Sequence, residues 1–157
     1  METLARTSTC RHQTIRVVTG HSTEFIDLTE RLQAFVAESG IRSGLVNIQS
    51  VHTTTAIVVN EHEPLLLADF VAMLEKSAPV DAGYRHDDAN VRTVNVTADE
   101  RVNGHAHCRA LLLPSSACLN VIDGRLRLGR WQRVFLAELD GPRERQISVL
   151  ILGEDGR

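Results

Sequence analysis

Cysteine is scarce: three in 157 residues, Cys10, Cys108 and Cys118, with no CxxC pair. A disulfide framework is therefore not expected, and reduced thiols in a cytoplasmic setting are the simpler reading. Aromatic residues make up 4% of the chain, and the net charge is only −3. Neither a basic stripe nor an aromatic platform is available, so no nucleic acid is expected as a partner. No apolar run approaches the ~20 residues of a membrane helix. The longest, ISVLILG, suits a buried strand. The opening METLARTSTCRHQ lacks the apolar stretch of a secretory leader. GxSxG, P-loop and GxGxxG motifs are also missing, which argues against a serine-elbow hydrolase and against those nucleotide-binding folds.

What is present is enough for a core. The chain is 43% hydrophobic, and its length fits one domain spanning residues 1–157. TIRVVT and EFIDLT read as strands, the first from its β-branched alternation. Leu28, Leu32, Phe35 and Val36 fall at helical spacing, with Asp27 as the expected N-cap and Gly40 as the stop. SGLVNIQSVHTTTAIVVNE reads as two strands or one bent strand. Pro64 opens a second helix, with Leu67, Phe70, Val71 and Leu74 as its apolar stripe. Residues 81–104 read as a long polar loop with a short helical piece. Strand signals follow, among them HAHCRALLL, and Asp123-Gly124 is the strongest hairpin signal. The sum is an α+β fold with two helices and a largely antiparallel sheet. Continuously apolar strands such as SVLIL call for cover on both faces, from a sandwich or an oligomer.

The chemistry-bearing residues are mostly imidazoles. On a strand, His105 and His107 would share a face about 7 Å apart and could converge on one metal ion or flank a phosphate. The alternative is two solvated surface histidines. His52, in another strand-like segment, and His86 in the loop could complete a pocket. Three histidines with an open fourth position is a catalytic zinc pattern, whereas an all-oxygen site would suit magnesium. Asn60, Glu61 and Glu63 sit at a strand–helix junction, as N-terminal helix charge or as acid–base groups. Ser115 and Ser116 form a turn that could cradle a phosphate or be only a turn. Arg143 could hold an anion, or pair with Glu144 or Asp140. Cys108 reads as a small buried residue. Trp131 reads as a core or interface residue, with a stacking platform as the alternative.

VHTTTAIVVNEHEP, YRHDD, NGHAHCRALLLPSS and GRLRLGRWQRVFLAELDGPRERQISVLILG together resemble the YjbQ-like family, over about residues 11–153. The resemblance implies an α+β sandwich assembled as a homotrimer, with histidine-lined pockets between subunits. It also implies a secondary thiamine-phosphate synthase activity, joining a pyrimidine pyrophosphate to a thiazole phosphate with release of pyrophosphate. In that reading His52, His105 and His107 hold a divalent metal, zinc or, with pyrophosphate, magnesium. Glu61, His86 and Asp87 are the catalytic groups. Asn60, Asn103, Ser115, Ser116 and Arg143 bind a small phosphorylated molecule. Two alternatives stand beside it: a zinc-dependent hydrolase, and a non-catalytic trimeric metal- or metabolite-binding protein. Three positions depart from the family pattern. Gly104 replaces an alanine, expected to be harmless unless the position is packed. Pro114 replaces a glycine, and proline cannot supply positive φ. Arg130 replaces a threonine.

Overall fold

A computed structural model describes residues 8–155. The first seven residues of the segment read for a leader lie outside that range. The strands are β1 Ser8–Val18, β2 Glu24–Asp27, β3 Ile41–Ser50, β4 Thr55–Glu61, β5 Ser116–Ile122, β6 Arg125–Leu126, β7 Gln132–Glu138 and β8 Glu144–Asp155. The helices are α1 Thr29–Ser39, α2 Pro64–Ser77 and α3 Gly104–Leu111, with a 3-10 turn at Arg85–Asp87.

The strands form two sheets, ordered β1-β8-β3-β5-β6 and β2-β7-β4. Every pairing between them is antiparallel. Alternation decides what each face buries. Along β8, Ile147, Val149 and Ile151 are fully buried, while Leu150 and Leu152 point outward. The inward set meets Val46, Ile48 and Val121 of the same sheet, Ile57, Val134 and Leu136 of the smaller sheet, and Leu28, Leu32 and Val36 around α1. Each such aliphatic contributes about 1.5–3 kcal/mol by leaving water. On the other face of the smaller sheet, Ala56 and Ala137 join Leu74 of α2 and Ala106 of α3 in a second cluster. Because side chains alternate along a strand, Ala137 faces opposite to Leu136, so β7 is covered on both sides.

Most expected elements form. Gly40 ends α1 at φ 74°. Asp123 and Gly124 both take positive φ, 52° and 74°, in the turn joining β5 to β6. Asp27 caps α1 from one position earlier than expected: Leu28 occupies the N-cap, and Asp27 Oδ1 accepts from Thr29 N at 2.8 Å. The loop after α2 is irregular apart from its 3-10 turn.

One expectation fails with consequences for function. HAHCRALLL is not a strand but the third helix, α3. His-Ala-His-Cys mimics two-residue alternation. Yet Ala106, Ala110 and Leu113, spaced by four and three, all pack into the second cluster, which is helical spacing. Cys108, expected in the core, is exposed on this helix.

Candidate functional site

The helical form of α3 separates the two histidines expected to act together. Residues i and i+2 lie about 200° apart around a helix. His105 is buried, at 6% exposure, whereas His107 is half-exposed and lies edge-on to His86, ring centroids 4.6 Å apart. The 3-10 turn supplies His86 and Asp87, and Asp87 anchors the start of α3. Its Oδ1 accepts from Asn103 N at 3.0 Å and Gly104 N at 2.9 Å. These are first-turn amides that the helix cannot satisfy itself. The carboxylate read as catalytic therefore has one oxygen committed to positioning the histidine helix.

Gly104 makes that docking possible. A Cβ there would lie 2.4 Å from Tyr84 Cβ and 3.1 Å from Asp87 Oδ2. The position is tightly packed, so the exchange against alanine is not a neutral one.

The hub of the site is Asp140, a residue the sequence reading left out of it. Its carboxylate is 3% exposed. Oδ2 accepts from Asn103 Nδ2 at 2.9 Å and from Arg143 Nη2. Oδ1 lies 3.5 Å from Arg101 Nε, and Arg101 Nη2 also donates to the carbonyls of Asp140 and Gly141. Asp140 and Arg143 are three apart around the Gly141-Pro142 turn, and that spacing was the available signal. Beneath the turn, Glu138 Oε1 accepts the amides of Leu139, Asp140 and Gly141. Arg145 closes on both Glu138 oxygens, each at 2.6 Å. This pair is almost fully buried, at 2% and 0% exposure.

Around the hub lie buried polar atoms with no hydrogen-bond partner among the described residues: His86 Nε2, Asn103 Oδ1, His105 Nδ1 and Arg143 Nε. Such atoms are uncommon in folded proteins, and each calls for water or a ligand. A cavity of about 210 Å³ opens beside His86, lined also by Asp87, Arg92, Glu100 and Arg101, with Arg92 paired to Glu100. Burial, reinforced by Arg109, holds the His105 imidazole below its ordinary pKa against the opposing pull of Asp140 and Asp87. Burial, then the neighbouring His86, does the same for His107. Both are therefore neutral near pH 7 and able to accept a proton.

The expected three-histidine metal centre is not assembled. His52 sits in the turn between β3 and β4, and its Nε2 accepts from Gln146 N at 2.8 Å. That nitrogen is thus occupied. Burial, then Arg145, lowers the His52 pKa. No group of three or more His, Cys, Asp or Glu side chains among the described residues is placed to hold a metal. The residues do not fit the zinc expected from the sequence.

Other predicted residues lie elsewhere. Thr55 at the start of β4 pairs with Glu138, while Glu61 pairs with Gln132 at its far end. Five and six strand steps put Asn60 and Glu61 about 17 and about 20 Å from the hub end of the strand. Glu63 caps α2, accepting from Leu65 N and Leu66 N. Ser115 and Ser116 are exposed beside the start of β5. The Ser115 carbonyl accepts from Ser50 N and that of Pro114 from Ile57 N, so this turn ties the strands together. Trp131 is 62% exposed rather than in the core.

Two stacked antiparallel sheets, with a helix and loop delivering His, Asn, Asp and Arg to one end, define an α+β protein with a polar pocket. The family model described as UPF0047 protein YjbQ-like matches residues 13–154, and the chain belongs to that family. It is 42% identical over 142 residues to a UPF0047 protein of Methanothermobacter thermautotrophicus, covering 90% of this chain and 92% of that one. It is 31% identical to UPF0047 protein YugU of Bacillus subtilis, covering 90% and 98%. Its fold matches the crystal structure of a YbjQ-like protein of unknown function from Sulfolobus solfataricus, with TM-score 0.83 and 35% identity over 94% of this chain and 100% of that one. None of these names carries an activity. The thiamine-phosphate synthase reading, with its metal-dependent alternatives, is corrected accordingly. The relatives supply no such activity, and the metal centre it relied on is not formed among the described residues.

Proposed function

We propose that the chain is an enzyme performing general acid–base chemistry on a small anionic molecule, with a phosphorylated molecule as the first candidate. One observation carries this reading: buried polar atoms of His86, Asn103, His105 and Arg143 lack partners, Asn103 and Arg143 meet at Asp140, and His86 opens on a cavity that Arg101 also lines. Arg101 supplies positive charge for the anion, while Arg92 is paired with Glu100 on the same wall. His107 and His86, in ring contact, are the proton-transfer pair, with the His107 pKa held down by burial and by the neighbouring His86. Asn103 and Arg143 orient the substrate through Asp140, and His105 Nδ1 offers a further polar contact.

The test pairs binding with turnover. Inorganic phosphate and a panel of phosphate monoesters are titrated calorimetrically, and products are followed by mass spectrometry. Binding by the wild type, weakened at least about tenfold in Arg101→Ala, with turnover lost in His107→Ala while binding persists, supports the proposal. No binding at millimolar concentration, or turnover unchanged in both His107→Ala and His86→Ala, overturns it.

A homotrimer belongs to the same proposal. Leu45, Leu150 and Leu152 lie together on the outer face of the larger sheet, 40–49% exposed. An apolar sheet face of this kind supports cover by another copy.

A further inference from the structure

At the opposite end of the smaller sheet from Asp140 lies an open groove of about 380 Å³. The end of β4 lines it with Val59, Asn60 and Glu61, and the turn before β7 lines it with Gly129, Arg130 and Trp131. The turn is firmly closed: Gln132 N donates to Gly129 O at 3.0 Å, and Gln132 Oε1 accepts from Gly129 N at 2.8 Å. It presents the only Trp of the chain to solvent at 62% exposure, with the Arg130 guanidinium 4.7 Å from the ring centroid.

The charges flanking this indole have opposite sign, and neither is neutralised by an ion pair among the described residues. Glu61 is half-buried as a residue. Asn60 turns its Oδ1 to Glu61 N at 2.9 Å, which leaves its amide Nδ2 free to donate. A purely anionic ligand would be repelled by Glu61, and a purely cationic one by Arg130. A ligand carrying both charges around an apolar body satisfies the groove.

We infer that this groove is a second binding site, separate from the histidine pocket, for a small zwitterion of the amino-acid type. Its ammonium sits on Glu61, its carboxylate on Arg130, and its apolar part lies along Trp131. The site has a built-in reporter, since all indole fluorescence comes from Trp131.

The probes are L-phenylalanine, phenylacetate, which keeps only the anion, and phenethylamine, which keeps only the cation. Saturable change of the Trp131 emission with L-phenylalanine is expected. Affinity should be at least about tenfold weaker for each single-charge probe and for Glu61→Gln and Arg130→Ala. His107→Ala should bind as the wild type does. Circular dichroism establishes that each variant is folded. Absence of a saturable change, equal binding of a single-charge probe, or unaltered affinity in both groove variants overturns the inference. Loss of binding in His107→Ala overturns the separateness of the two sites.

Discussion

Gly104 carries more of the site than either histidine beside it, because it is where α3 meets the loop. Its missing Cβ admits the Tyr84 side chain and keeps Asp87 on the first amides of α3. Gly104→Ala pushes a methyl group into Tyr84, and overpacking of this type costs about 1–3 kcal/mol. A lowered midpoint of urea denaturation is the expected result. The wild-type midpoint would show that the loop yields freely. Nothing local in NGHAHC reveals this contact, since Tyr84 comes from a segment twenty residues earlier. Asp87 is similar: its charge is visible in HDD, but its capping role depends on where the loop meets the helix.

At the scale of elements, the turn that carries the chain from β7 in the smaller sheet to β8 in the larger one is held by a buried ion pair that also shapes the hub. Burial pushes the Glu138 carboxyl up. Hydrogen bonds from Arg145 and from the Asp140 and Gly141 amides outweigh this and bring its pKa to about 2, from an ordinary 4.5. A carboxyl depressed by folding adds stability that is fully present above its unfolded value and is lost as pH falls. The window for Glu138 therefore runs from about 4.5 down to about 2. Glu138→Gln strands Arg145 in the interior, which costs about 3–5 kcal/mol. It should also flatten the acid dependence across that window, as read by denaturant titrations at stepped pH. A variant with wild-type stability at neutral pH and the same acid slope would show the pair to be idle. The Asp140–Arg143 contact was legible as one of two pairings open to Arg143, the other being with Glu144. The Glu138–Arg145 pair was not, because seven residues and a turn separate two charges that look like ordinary surface residues.

At the scale of the molecule, the proposed trimer makes a prediction of its own. Leu152→Glu puts a charge on the outer face of the larger sheet, and sedimentation should shift from three chains to one. A wild-type chain sedimenting at the mass of one would remove the trimer from the proposal. No helix among the described residues is long and apolar enough to cross a membrane.

Alternation in β1, the strands of β3, β4 and β8, the Pro64 helix start, the Gly40 stop and the Asp123-Gly124 turn were all determined by the sequence. Each depends on neighbours a few residues away. Tertiary structure decided the rest. It made 104–111 a helix by packing Ala106 and Ala110 against the smaller sheet, which turned His105 and His107 apart. It placed Glu61 and Asp140 at opposite ends of one sheet. It also chose Asp140 as the hub, because only folding brings Asn103, Arg101 and Arg143 around a single carboxylate.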